Sequence, residues 1–234
     1  MRILAFETSA KAASVALLDD TKLLGESYQN TGLTHSQTLL RMAEDLMENC
    51  GCTPEQIQAV AVAAGPGSFT GVRIGVAAAK GFAWGRELPC WGVSTLEAMA
   101  RNLGVHTGYV LPVMDARRNQ VYTALFHTEN GSLTRIKEDR AISLQELEEE
   151  IKNLQEPIFL VGDGSILCYN MLKEAVSNLI CPPEHRLHQR AAGVGLAAAA
   201  MMARGESGNA RDFMPNYLRL SQAERERLER QQKA

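Results

Sequence analysis

Hydrophobic positions fall along the chain in short runs and helical stripes that alternate with one another. Residues 2–6 and 14–18 are apolar runs of strand length bounded by small polar residues, the pattern of a hairpin closed by residues 8–13. Residues 22–28 extend it by a third strand. Thr34 then opens a helix to about residue 49, in which Leu39, Leu40, Ala43, Leu46 and Met47 recur at helical spacing. The Thr34 hydroxyl is placed to cap the Gln37 amide while Gln37 reaches back. Thr53-Pro54-Glu55-Gln56 reads as a short helical turn and residues 59–64 as a strand. A glycine-rich turn leads into a long helix ending at Trp84. Residues 88–93 follow as a strand, and Ser94 with Glu97 boxes the start of a helix ending near Leu103.

From Tyr109 the same order restarts. Residues 110–115 and 121–127 form a second hairpin, 132–139 a third strand, and Ser143 with Glu146 opens a helix to about residue 154. Residues 158–161 are a strand, Gly162-Asp163-Gly164 a turn, and residues 166–179 and 191–204 are helices. Laying Glu7 on Asp115 sets residues 14–18 on residues 122–126. This repeat predicts an α/β chain of two tandem halves, 1–106 and 107–205, each a mixed β-sheet flanked by helices. Residues 206–234 fit neither copy. They are expected to form a tail or helix packing on the first half, with the mixed charges of residues 219–233 on a solvated surface.

Composition narrows the function classes. With 45% hydrophobic and 22% charged residues, the chain of 234 is an ordinary globular one. A net charge of −3 provides no global field to hold phosphate backbones, which disfavours direct nucleic-acid binding. Glu7 interrupts the first apolar run before a secretory core could form, so a cytoplasmic location is expected. The stretch 191–203 is too short for the roughly 20 apolar residues that span a bilayer, so no membrane segment is expected. Five cysteines without a C-x-x-C pair argue against a disulfide framework or a zinc site and read as small core residues.

Candidate chemistry concentrates at Gly65-Pro66-Gly67-Ser68-Phe69-Thr70-Gly71, between a strand and a helix, where glycines permit a tight turn and helix amides can hold an anion. It lacks the Gly-Lys-Ser/Thr of a P-loop, and the strand ending Val93-Ser94 offers no acid for a ribose. Residues 71–84 behind it are small or apolar nearly all round, with Arg73 and Lys80 as the only charges, so this helix must be buried on most faces. Gly71, Gly75, Ala78 and Phe82 are read as a face for another helix at a protein–protein interface. The competing explanation is burial under the second half of the same chain. His35 has Leu39 one turn on, where a second metal ligand would lie, so it is no metal site. His185 and His188 follow Pro182-Pro183 and read as a surface loop. Ala116-Arg117-Arg118-Asn119 is bulky where a phosphate turn would use glycine.

A three-stranded meander with β-α units, twice over, resembles the actin, hexokinase and Hsp70 superfamily, built from two ribonuclease-H-like halves that often clamp a nucleotide. There the first strand of each half ends in a carboxylate that holds magnesium, which the resemblance maps to Glu7 and Asp115, and Gly162-Asp163-Gly164 would meet an adenine or ribose. It implies a pocket for weak ATP or ADP binding at Glu7, Thr8, Ser9, Asp115, Gly162 and Gly164, with no cofactor required. Residues 65–75, read with Glu7-Thr8-Ser9, Thr34-His35-Ser36, Asp115-Ala116-Arg117-Arg118, Gly162-Asp163-Gly164 and Pro215-Asn216-Tyr217-Leu218-Arg219, are similar to the bacterial TsaB (YeaZ) family over nearly the whole chain. Glu7 departs from the Asp commoner there. That resemblance implies work with the paralogue TsaD and the ATPase TsaE in making N6-threonylcarbamoyladenosine beside the tRNA anticodon. TsaD carries the chemistry on a metal held by a His-x-x-x-His helix. His35 and Leu39 stand at those positions here, so no catalytic residue carries over.

The resemblance therefore implies a non-catalytic scaffold for transfer of threonylcarbamoyl from its adenylate, touching tRNA only through the complex. Its TsaD contacts would be His35, Leu39, Met42, Leu46, Gly71, Val72, Gly75, Ala78, Ala79 and Phe82, and the same surface would form a homodimer when the chain is alone. The alternative is an independent nucleotide-dependent enzyme, kinase-like or peptidase-like, against which the bulky second loop and the missing metal pair weigh.

Overall fold

The computed structural model describes residues 1–104, 107–211 and 213–219. The expected boundary near residue 106 and the charged run beyond residue 219 lie outside the described residues. Two five-stranded sheets carry the fold. The first, β1 (Arg2–Glu7), β2 (Ala13–Asp19), β3 (Lys22–Gln29), β4 (Ala59–Ala63) and β5 (Cys90–Val93), has the order β3-β2-β1-β4-β5. The second, β6 (Gly108–Asp115), β7 (Gln120–Glu129), β8 (Ser132–Ser143), β9 (Ile158–Val161) and β10 (Leu179–Ile180), repeats that order as β8-β7-β6-β9-β10. In each sheet the first three strands are an antiparallel meander and the last two add in parallel. The α/β class with two mixed sheets is the one expected.

Strand alternation decides what covers each face. In the first sheet Leu4, Phe6, Val15, Leu17, Val60 and Val62 face α1 (His35–Asn49) and α2 (Phe69–Trp84). The opposite face presents Ile3, Ala5, Ala16, Leu18, Ala59, Ala61 and Ala63 to α6 (Ala191–Ala203). These small residues let an alanine-rich helix lie close. Helix α3 (Thr95–Leu103) makes the reciprocal move, packing Leu96, Met99, Ala100 and Leu103 on Val110, Met114, Ala124, Phe126 and Val161 of the second sheet. Helices α3 and α6 meet back to back, where a side chain at Gly193 would lie 2.1 Å from the Ala98 carbonyl oxygen. Helices α4 (Leu144–Ile151) and α5 (Ser165–Leu172) cover the outer face of the second sheet. Each half thus gives its last helix to the other's sheet.

Three local expectations are corrected. The helix expected over residues 166–179 ends at Leu172, and Leu179–Ile180 pairs in parallel with β9 as a two-residue strand. Its turn is fixed by the Asn178 side-chain amide, which donates to the carbonyls of Leu154 and Glu156. The Thr34 hydroxyl donates to the Gln37 side chain at 2.8 Å and makes no cap bond. The second hairpin slips by one residue against the first: Glu7 stands opposite Ser14, but Asp115 opposite Val121 instead of Tyr122. Its shorter connection holds Arg117, Arg118 and Asn119 at positive φ, a conformation uncommon for such side chains.

Candidate functional site

The carboxyl ends of the parallel strands in both sheets open on one cleft of about 560 Å³, a size suited to a small-molecule ligand. Ser9, Ala10 and Lys11 after β1, Gly67 to Thr70 at the start of α2, Asp115 to Arg117 after β6, Tyr122 and Asp163 line it. Residues 216–219 close one side.

Of the six residues expected to bind nucleotide, Ser9 and Asp115 line the cleft and the others stand behind it. Glu7 is fully buried; its Oε1 accepts from the Ser9 amide at 2.6 Å, and its Oε2 has no hydrogen-bond partner. Burial pushes the Glu7 carboxyl up to about 7, and the neighbouring Asp163 adds to the rise. Thr8 is buried and donates to the Gly71 carbonyl at 2.8 Å. A side chain at Gly162 would lie 2.2 Å from the Val113 carbonyl oxygen and one at Gly164 3.0 Å from the Asp115 amide nitrogen, so both glycines let this turn pack closely on β6. Asp163, between them, has its carboxyl held above its usual value chiefly by desolvation, with the Asp115 charge adding to the rise, while Gln189 donates to it at 2.9 Å. Among the described residues no three His, Cys, Asp or Glu side chains are grouped to hold a metal ion. With Glu7 turned into the core, these residues do not fit a magnesium shared by Glu7 and Asp115.

The glycine-rich turn is likewise a packing device. A side chain at Gly67 would lie 2.5 Å from the Ser9 carbonyl oxygen, one at Gly71 2.1 Å from that of Thr8, and one at Gly75 2.4 Å from Thr8 Oγ1. This corrects the expected partner face. Leu39, Met42, Leu46, Gly71, Val72, Gly75 and Ala79 are buried in the chain's own core, because the small face of α2 is what lets it approach the end of β1. Ala78 and Phe82 are half-buried against the same core, and His35 Nε2 bonds to the Ala10 carbonyl at 2.8 Å. What α2 leaves outward is Arg73, Ala77, Gly81 and Trp84, one stripe at helical spacing, with Trp84 62% exposed and open space above Gly81. Beside it α1 shows Leu40, 59% exposed, with Arg41 and Glu44.

Sequence reasoning missed how the segment before residue 219 is held. Trp91 Nε1 donates to the Glu206 carbonyl at 3.3 Å, Lys80 Nζ to that of Phe213 at 2.7 Å, and the Asn216 amide to that of Ala64 at 2.6 Å. Arg73 Nε donates to Tyr217 Oη at 2.8 Å, and the Tyr217 ring lies 4.6 Å from Phe69. Packing on the first half was expected; the signal for its route lay in Arg73 and Lys80, the two charges of α2.

Residues 29–227 match the family described as TsaD: tRNA N6-adenosine threonylcarbamoyltransferase. The chain is 31% identical over 240 aligned positions to the tRNA threonylcarbamoyladenosine biosynthesis protein TsaB of Bacillus subtilis (strain 168), covering 99% of this chain and 100% of that one. To TsaB of Escherichia coli (strain K12) it is 35% identical, with 94% and 95% covered. The solved structure of YeaZ from Pseudomonas aeruginosa superposes with a TM-score of 0.73 at 26% identity, covering 93% of this chain and 99% of that one. By these matches and the doubled fold that underlies them, the chain belongs to the TsaB (YeaZ) family of tRNA threonylcarbamoyladenosine biosynthesis proteins.

Proposed function

We propose that the chain is a non-catalytic subunit of the threonylcarbamoyladenosine machinery in the cytoplasm. It pairs with a TsaD protein through the outer stripe of α1 and α2, works with the ATPase TsaE, and self-associates through the same stripe when alone. The observation that carries this reading is that stripe: Ala77, Gly81 and Trp84, with Leu40 on the adjoining helix, are exposed apolar positions, Trp84 meeting only the Arg211 guanidinium at 4.7 Å among the described residues, and Gly81 allows close helix approach. Two features support a role without chemistry of its own: Glu7 is buried, and the metal motif is broken at Leu39. The role needs no nucleotide, and tRNA is reached through the partner.

Gly81→Arg tests the surface. The new side chain meets open space in the monomer, so the melting temperature should hold, while an unpaired charge in a helix interface costs about 3–5 kcal/mol of association. Size-exclusion chromatography with the cognate TsaD should show the complex lost and reconstituted tRNA modification reduced with it. An undiminished complex would refute the surface, and micromolar Mg-ATP binding with turnover by the isolated chain would refute the non-catalytic role. Gly75→Arg is unsuitable as a probe because Thr8 occupies that space.

A further inference from the structure

Residues 213–219 touch both halves of the molecule. Phe213 sits against Gly92 of β5, where a side chain would come within 2.4 Å of its ring, and its carbonyl is held by Lys80. Asn216 lies over Gly65, whose positive φ and lack of a side chain leave room for the Asn216 carbonyl. Tyr217 is gripped by Phe69 and Arg73, and the Arg73 guanidinium lies 3.8 Å over the Phe69 ring. These anchors of Phe213, Asn216 and Tyr217 are all on the first half. Arg219 then crosses the cleft and donates to the carbonyl of Ala116, with a longer contact of 3.5 Å to that of Arg117. Those carbonyls belong to the connection after β6, in which Arg117, Arg118 and Asn119 have positive φ. The same connection is closed from within by the Gln120 amide donating to the Arg117 carbonyl and the Ala116 amide to that of Gln120.

We propose that residues 213–219 are a latch across the cleft, anchored on α2 and β5 and caught on the second half by Arg219, and that releasing either end opens the cleft. Three features specify a latch instead of a passive tail. Its path is cut for it, since a side chain at Gly65 would run into Asn216 and one at Gly92 into the Phe213 ring. It uses both charges of α2, so that helix and the cleft wall are tied to one segment. Its last described residue bonds backbone carbonyls in a conformationally costly turn, where a five-donor guanidinium compensates a strained loop without needing any particular side chain there. The inference does not depend on what partner α2 meets, because it concerns the isolated chain.

Hydrogen exchange on the full chain tests it, comparing the native sequence with Arg219→Ala at the catch and Lys80→Met at the far anchor. Exchange of the Gln120 amide should quicken about tenfold in Arg219→Ala, the effect of losing one charge-assisted bond on a local opening. Lys80→Met, on the other half, should quicken the same 116–120 segment, with β9 and α4 unchanged and the melting temperature nearly so. An increase confined to residues 206–219, no increase at 116–120 in Lys80→Met, or a uniform rise across both sheets would each overturn the latch.

Discussion

Glu7 shows how one methylene-sized choice and its burial set a residue's chemistry. It ends β1 in the core, one oxygen satisfied by Ser9 and the other by nothing, and its carboxyl titrates near 7 instead of 4.5. Between those two pH values the folded state keeps a proton that the unfolded chain has released, so stability falls as pH rises through the window. The full cost of ionisation is about 3 kcal/mol, reached above pH 7 and absent below 4.5. Glu7→Gln keeps the acceptor for Ser9 and removes the charge. Denaturant titration should find it more stable than the native sequence at pH 8 by up to about that amount, with the difference shrinking towards pH 5. A difference independent of pH would show that Glu7 titrates normally. The strand end and its acid were legible in the sequence, but the burial was not, because it depends on α2 closing over Thr8 through Gly71 and Gly75. For the same reason those glycines looked like a partner face: a small stripe looks alike whether it meets its own sheet or a stranger.

At the scale of the element, α6 is the instructive case. Its sequence, apolar all round, announces burial on every side and no direction. The direction comes from polar groups far away in the chain. No side chain of its own caps the helix; the Ala192 amide donates to Glu26 Oε1 of β3 at 3.0 Å and the Ala191 amide to Ser14 Oγ of β2 at 3.2 Å. Arg190 Nη2 closes the arrangement on Glu26 Oε2 at 2.6 Å. A nearly buried carboxylate at a helix N-terminus therefore pins the second half's last helix to the first sheet. Glu26→Ala should cost about 2–3 kcal/mol, since it leaves the Ala192 amide and the Ser14 hydroxyl without their acceptor and Arg190 without its counter-charge, and a melting shift of several degrees would register it. Loss within the few tenths typical of an exposed pair would mean the site is solvated. The strand β10 failed for the opposite reason: two residues carry no period, and the apolar spacing of 166–179 continued through the Asn178 turn without a break.

For the whole molecule, the doubled order of elements was legible from Tyr109 onward, but the exchange of α3 and α6 between the sheets was not. Local pattern reports which residues seek burial, while pairing between whole segments, residues 191–203 with strands that end by residue 63 among them, decides where they find it. The exchange changes what the repeat means. Two tandem copies suggest two units that fold alone, yet residues 1–106 alone would leave Ile3, Ala5, Ala16, Leu18, Ala59, Ala61 and Ala63 without α6, and α3 without the second sheet. A further tie joins α3 to β8: Arg135 Nη2 meets Glu97 at 3.0 Å, and Glu97 is held below the usual carboxylate range by Arg101 and Arg135 despite its burial. Neither half can therefore melt without uncovering the other's core, which is the condition for a single cooperative transition. Urea unfolding followed by far-ultraviolet circular dichroism, which reports both sheets, and by fluorescence of Trp84 and Trp91, which reports the first sheet and its covering helices, should give coincident curves. Separate midpoints, or a folded and soluble fragment of residues 1–106, would show that the halves are independent and that the exchanged helices contribute little.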